Sequence, residues 1–596
     1  MDRQYDFAAL EALLKKRSFK ALREALLELN EVDIAEFLGL LNGEEAVLAF
    51  RTLPKGVAAD VFAELEPEMQ QLIVAAATDA ELAVIVEDLY VDDAVDMLED
   101  MPANVVKRIL KNATPEMRGL INQFLKYPEH SAGSIMTAEF TDLRPTMTVE
   151  QAIEHIRRTG EDRETVYTCY VVGPRRRLLG VVTVRSLLLA RDSQLVSDVM
   201  EDGVIRGVYD RLPLEYATAP LVDYGQALVM QSFADMHLHA PQYPMLGMGM
   251  DLPLLEWLDT YTFPTEARFA DTDYARRIYR RLATDLITNG TTRVCMFSSL
   301  HTDATWILME ELERAGVTGY VGKVNMDRNG LPGILQETTE ESIRETLRWL
   351  EGCHFDHVKP ILTPRFTPSC TDELMEALGR LAQEKGLYVQ SHLSENLGEI
   401  QWVKELHPDC QQYWETYDKY GLWKEHTIMA HCVHSDRREC DAMRRAGVVV
   451  AHCAGSNINL CSGVSPVREM LQQGIWVTLG SDIAGGACLP MYKVATMSIR
   501  ASKIKRIETD WSEDFLTVPE AYYLATSSGH RYFGDRDGFA HGNRLHAIVV
   551  DDGDFTEASH PLTVRERFER AIYMLHRHNI TAVWSDGRCV VGQMLQ

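Results

Sequence analysis

The sequence has no run approaching the ~18 uncharged apolar residues of a membrane-spanning helix, so no span is expected. Its first twenty residues, MDRQYDFAALEALLKKRSFK, lack the apolar core of a secretory signal. The eleven cysteines form no CxxC pair and are odd in number, which argues against a disulfide framework and for a reducing cytoplasm. Positive charge is scarce: 60 Lys and Arg stand against 88 Asp and Glu, a net charge of −28, so no nucleic-acid partner is expected. The acidic excess is uneven, and more than half of it falls between residues 31 and 100. Glycine is nearly missing from residues 5–125. Wholesale disorder is excluded by a 46% hydrophobic and 25% charged composition. The 596 residues are enough for about four folding units at ~150 residues each.

Four patterns fill that length. Residues 5–125 carry apolar side chains at three- and four-residue steps, and 33–41, 57–73 and 93–110 read as a loose helical repeat with prolines opening first turns. Stacked short helices of this kind form a small superhelix, since one pair cannot bury its own apolar face. A hinge is expected at YPEHSAGS (127–134). An amphipathic helix at 148–158, strand-like runs at 165–173 and 178–184, and a second helix then make a compact α+β unit ending near Met200. From Val204 a short strand-rich stretch leads to FADMHLHAPQ, after which strand-like runs alternate with helices: RVCMFSSL, GYVGKVNM, HVKPILTPRF, LYVQSHLSE, HTIMAHCVH, VVVAHCAGS and WVTLGSDIAGG. Such alternation predicts a parallel sheet, and the 245 residues from His237 to Asp482 suit a whole (β/α)8 barrel.

Polar residues end those strands. His237 and His239 stand two apart, so on a strand they share a face. His392, His431 and Asp482 follow later strands and would point into the same C-terminal mouth. Imidazoles with a carboxylate suit zinc or another borderline divalent ion, which lowers the pKa of bound water towards ~7. Glu395, three residues after His392, can reach that cavity and move protons.

Together with HLHAPQYPMLGMGMDLPLLEWLDTYTFPTE (237–266), LTPRF (362–366), QSHLSEN (390–396), MAHCVHS (429–435), HCAGSNINLCSG (452–463) and LGSDIAGG (479–486), this set resembles the amidohydrolase superfamily, and within it the guanine deaminase family. The resemblance covers about 206–552. It implies one zinc on His237, His239, His392 and Asp482, and a water-orienting role for His431. It implies that Glu395 protonates N3 of guanine while hydroxide adds at C2, giving xanthine and ammonia. Gln242 and Arg365 would read the purine's polar edge, Phe366 would line the pocket, and His392 would border the substrate. An amide and a guanidinium fork are suitable readers of a ring with many donors and acceptors. Three positions depart from the family's habit: Gln231-Ser232 in place of Pro-Gly, Ala454 in place of proline, and His546 in place of aspartate. The small β-sandwich usual in the family is reduced to a remnant near 204–230.

The first 200 residues resemble the cytosolic part of MgtE-type magnesium transporters: an acidic helical N domain to about Leu125, then, from SAGSIMTAEFTDLRP (131–145), the first of two CBS modules. This implies Mg2+ at the acidic helices as a possible cofactor. The second CBS module and the membrane domain are absent from the pattern. The expected layout is therefore a helical N domain (1–130), a single CBS-like module (131–203), a remnant sandwich (204–232 and 535–596) and a barrel (233–534). The expected activity is zinc-dependent deamination of guanine by a cytoplasmic protein, a homodimer if the sandwich remnant exposes a strand edge. Deamination of another aminated purine or a pterin is an alternative, and a magnesium-responsive regulatory protein with an inactive barrel is one of a different class.

Overall fold

A computed structural model describes residues 7–99, 101–127, 136–160, 163, 165–200, 202–216 and 221–592. Most of the expected hinge at 127–134 and of the SAGSIMT motif lies outside the described residues. The chain divides into two compact units, Met1–Asp202 and Gly203–Gln596. No helix among the described residues is long and apolar enough to cross a membrane.

Among the described residues the first unit opens with ten short helices, from Phe7–Lys15 to Pro115–Phe124. Their starts are built from polar caps: the side chains of Asn30, Asn42, Thr78 and Thr114 each accept a backbone N–H of the first turn. Pro67 and Pro115 occupy first helical positions, as the sequence predicts, whereas Pro54 and Pro102 serve as N-caps. The stretches read as single repeats are helix pairs, Lys55–Ala63 with Pro67–Ala76, and Val91–Glu99 with Ala103–Asn112. Lys55–Ala63 packs on both Glu31–Gly39 and Asp79–Asp88, so helices two apart in the chain bury their stripes on one another there, while Phe7–Lys15 packs on its neighbour Phe19–Leu26. The α+β module follows, with strand order Phe140–Leu143, Thr165–Val172, Leu178–Thr183, the first pair parallel and the second antiparallel. Leu143, Val149, Cys169, Val171, Val182 and Leu187 form its small core.

Among the described residues the second unit carries two four-stranded parallel arcs, with a short parallel pair, Val324–Asn325 and Thr363–Pro364, beside them. One arc runs β1 (Phe233–His239), β2 (Thr291–Phe297), β3 (Thr318–Gly322), β4 (Val358–Pro360); the other runs β5 (Gln390–Leu393), β6 (Ile428–His431), β7 (Val449–His452), β8 (Trp476–Leu479). At one seam Gln390 N–H donates to Leu362 O at 2.9 Å; at the other Asp482 N–H donates to His237 O at 2.9 Å. The arrangement is TIM-barrel-like. Most residues of these strands are buried, Lys359 of β4 being exposed, and they read as nearly continuous apolar runs because helices cover them outside.

β1 departs from regular pleating. Asp235 pairs with Val294 and Leu238 with Met296, so three residues of β1 advance against two of β2. This bulge changes which face each residue takes. Ala234 and Met236 pack with Cys295, Ile428, Val449 and Ala451, while Leu238 packs in the outer core with the helices. Beyond the bulge, His237 and His239 take the inner face.

Where the sandwich remnant is expected, one antiparallel sheet stands, in the order Arg588–Val591, Ile580–Ser585, Ala547–Val550, Leu228–Gln231. No second sheet faces it among the described residues. Leu228–Gln231 is an edge strand, and its Val229 is exposed. Ser232 and His546 share one buried belt beneath β1. Ser232 Oγ meets Thr292 Oγ1 at 2.5 Å, His546 Nδ1 meets the same hydroxyl at 3.1 Å, and His530 Nε2 donates to Ser232 O at 3.0 Å. Ala454 opens the helix Ala454–Asn459, a position where proline's fixed φ is convenient but alanine is equally helical.

Gly203 joins this sheet from the front. Leu545 N–H donates to Gly203 O and Gly587 N–H to Leu545 O, both at 2.9 Å. Gly587 has φ +80°, and a Cβ there would lie 2.1 Å from the Gly203 Cα. Gly587→Ala should therefore cost about 1–3 kcal/mol, from the left-handed backbone and the clash. A lowered thermal midpoint for the chain's second unit, followed by the loss of metal-site activity, is the measurement; an unchanged midpoint would show that the two backbones can part freely.

Candidate metal centre and active site

The mouth of the strands is built by chain reversals in the left-handed region. Ser394 (φ 47°), His431 (φ 71°), Cys432 (φ 47°), Asp482 (φ 44°) and Ala484 (φ 79°) all follow or end a strand. Non-glycine residues there carry strain, which the surrounding packing must hold, and such strain gathers at functional sites. The turns let His431 and Asp482 reach inward beside the two histidines of β1. His392, the third residue of β5, completes the group, and all five are buried.

The nitrogen and oxygen atoms of these five converge. Ligand atoms of His237, His239 and His392 lie within 4.8 Å of one another, as do those of His237, His431 and Asp482. His239 Nε2 and His392 Nε2 are 3.0 Å apart; His237 Nε2 is 3.4 Å and His239 Nε2 3.8 Å from Asp482 Oδ1. His392 Nδ1 lies 2.5 Å from Arg365 O. A carbonyl only accepts, so the His392 proton sits on Nδ1 and Nε2 presents a lone pair. Neither nitrogen of His237 has a hydrogen-bond partner, although both are buried. Burial pushes the His237, His239 and His392 imidazoles below their usual range, His239 and His392 far below, which keeps them neutral. Burial alone would raise Asp482, but the close approach of His237, with His431 and His239, holds it well below the usual carboxylate range. Neutral imidazole lone pairs, an ionised carboxylate and an orphaned buried histidine fit a divalent cation. Two imidazole nitrogens 3.0 Å apart can share one ion at the ~2.0–2.1 Å of a metal–imidazole bond. Among the described residues no acidic cluster in the N-terminal helices meets the same geometry.

Glu395 faces this group from the loop after β5. Its Oε2 is 3.5 Å from His431 Nε2, and Ser462 Oγ donates to its Oε1 at 3.3 Å. Burial pushes its carboxyl up to about 7. His431 titrates above its usual range: burial opposes this, but the carboxylates of Glu395 and Asp482 and the Asn457 hydrogen bond prevail. A proton can therefore reside on either partner near neutral pH, the condition for a shuttle.

The sequence reading did not single out three supports. Asn457 Oδ1 accepts from His431 Nδ1 at 2.8 Å while its Nδ2 donates to Ser465 Oγ, whose proton goes to His431 O. Glu399 Oε2 accepts the N–H groups of Glu395 and Asn396, and its Oε1 accepts Tyr413 OH at 2.6 Å. The Asn396-x-x-Glu399 spacing is a capping-box pattern that could have flagged it. Glu266 is the third. It is buried on Phe263–Ala267, where Gln242 Nε2 donates to its Oε1 at 2.9 Å and Arg365 forks onto both its oxygens at 2.6 and 3.1 Å. Arg365 is thus a buried residue, not a surface ion pair. Gln242, Arg365 and Phe366 border the same cavity as His239, His392 and Glu395. Phe366 packs edge-on to His392, ring centroids 6.5 Å apart.

Comparison with known proteins agrees with this geometry. Residues 228–590 match the model of the amidohydrolase family, and the chain belongs to that family. Its relatives within that family include guanine deaminases. The mouse enzyme is 38% identical over 383 residues, 61% of this chain and 82% of its own length; the Escherichia coli enzyme is 33% identical over 334 residues, 55% and 74%. A crystal structure of guanine deaminase from C. acetobutylicum with bound guanine superposes with a TM-score of 0.63 at 44% identity, covering 65% of this chain and 93% of that one. Residues 29–130 match the MgtE intracellular N domain and 132–193 a CBS domain.

Removing the Asn457 acceptor should free the His431 ring. Asn457→Leu is expected to lose about 10–100-fold in turnover with metal content unchanged. Parent-like turnover in that variant would mean the ring is held by its other neighbours.

Proposed function

We propose that the chain is a hydrolytic guanine deaminase that releases ammonia from C2 of guanine and leaves xanthine. The observation that carries this reading is the meeting, in one buried cavity, of a cation-ready histidine–aspartate set, a carboxyl poised near neutral pH, and a Gln242–Arg365 pair, in a chain whose relatives are guanine deaminases. The two strand arcs are taken as one (β/α)8 barrel, with 233–534 as the barrel, 204–232 and 535–596 as the small sheet region, and 1–130 and 131–203 as the helical and CBS-like parts. His237, His239, His392 and Asp482 would hold the ion, and zinc suits a set of imidazoles with one carboxylate. Such an ion would supply Lewis-acid activation of the attacking water.

The chain's own residues then divide the proton work. Gln242 and Arg365 hold the purine by its polar edge and Phe366 covers one side, with C2 towards His392 and Asp482. Glu395 takes the proton the attacking water loses and delivers it to N3. His431, fixed by Asn457, orients that water and shares the charge while Glu395 is ionised. A second proton, passed from the addition intermediate through Glu395, goes to the departing amine. The C2–N bond breaks, ammonia leaves, and the C2 oxygen remains as the xanthine carbonyl. Glu395→Gln cannot carry the proton, and should lose ~10²–10⁴-fold in kcat while keeping metal and fold. Turnover within a few-fold of the parent would remove Glu395 from this role.

Metal content separates the ligand assignment from the chemistry. His239→Ala should lose both the bound divalent ion, read by elemental analysis, and ammonia release; full occupancy would overturn the assignment. A chain starting at Gly203 should keep both, since the site's residues all belong to the second unit. A soluble truncation without metal or activity would show that the appendage is needed. The short edge strand Leu228–Gln231 favours pairing with a second copy, so a homodimer is part of this proposal, and solution mass measurement tests it.

A further inference from the structure

Glu266 stands behind the Gln242–Arg365 pair, away from the cavity, and takes one hydrogen bond from the amide and two from the guanidinium. All three side chains are at most 3% exposed. A carboxylate paired with a guanidinium fork offers acceptors only. The group of Gln242 that meets it must therefore be the Nε2 amide nitrogen, and the amide cannot be turned over without placing oxygen against oxygen. Chemistry, rather than the choice of amide rotamer, thus fixes the polarity. The Gln242 oxygen, Oε1, has no hydrogen bond to the described residues and remains for the ligand. Arg365 has donors only.

We infer that Glu266 is a specificity-setting positioning residue: by locking the amide of Gln242 it makes the site present an acceptor beside a donor, the complement of a lactam edge with N–H next to C=O. This rests on the guanine deaminase reading. In guanine that edge is N1–H beside the C6 carbonyl. A 2-aminopurine without the 6-oxo group shows a lone pair at N1 instead. Two acceptors would then face each other, and a buried polar group would be left unpaired, which costs about 1–3 kcal/mol, roughly ten-fold to a hundred-fold in binding. The leaving amine at C2 and the N3 acceptor are the same in both purines, so the difference is read at the far edge alone.

The test compares kcat/KM for guanine and for 2-aminopurine, by ammonia release, in the full-length metal-loaded protein. In Glu266→Gln the new amide can donate to the Gln242 oxygen, so Gln242 is free to turn and present its nitrogen to N1. The guanine to 2-aminopurine ratio should fall about ten-fold or more. Glu266→Asp, still acceptor-only, should keep the parental ratio even if both rates drop. The exchange Gln242→Glu with Glu266→Gln restores an acceptor towards the cavity with unchanged net charge, and should restore the ratio should the single variant fold poorly. A merely structural role would lower both substrates together; an unchanged ratio in Glu266→Gln, or an unrestored one in the exchanged pair, overturns the inference. Failure of the parent to release ammonia from guanine would instead overturn the functional reading on which it rests.

Discussion

Burying three neutral imidazoles, a fourth that tends to charge, and two carboxylates in one strand mouth is the constraint on which the rest of the second unit depends. Taken alone, each would cost free energy on leaving water. Together they are tolerable because their protons are assigned: the Arg365 carbonyl holds one on His392 Nδ1, and Asn457 holds one on His431 Nδ1. What remains is a set of lone pairs and one ionised carboxylate facing a common point, which a divalent cation satisfies. The same crowding that makes the empty set unfavourable gives the set its affinity.

That demand is met by the backbone before the side chains. A regular β1 would keep Ala234, Met236 and Leu238 on one face throughout; the bulge between Asp235 and Leu238 lets a packed floor of alanine and methionine give way to two histidines above it. At the other strand ends, left-handed residues turn the chain so that the side chain, rather than the next peptide, enters the mouth. The strained turns are affordable because Glu399, Ser465 and the seam bond from Asp482 N–H to His237 O hold them from outside.

Much of this was legible from the residues. An apolar run ending in a histidine or aspartate is a strong pattern when it recurs in order, so the ligand candidates, Glu395 and the alternating architecture could be read directly. The helical character of residues 5–125 was equally plain, and so was the division of 57–73 at Pro67, which opens a helix; that Pro54 and Pro102 cap their helices from outside was not. The bulge was invisible, because HxH shares a face with or without it. Glu266 and Asn457 lay inside quoted motifs yet carried no signal of their own, since a residue that acts by fixing another's tautomer or amide polarity has no spacing rule.

Ser232, Thr292 and His546 form a buried hydrogen-bonded belt; burial, with Arg293 and His530 close by, pushes the His546 imidazole far below its usual range, so no unpaired charge is introduced beneath β1. The belt ties Leu228–Gln231 to the barrel floor: Tyr522 OH donates to Gln231 O and Ser527 Oγ to Gln231 Oε1. This four-stranded sheet packs against the helix Thr272–Thr288, which meets its strands Ile580–Ser585 and Arg588–Val591. Every residue that shapes the metal mouth is thus held from within the second unit.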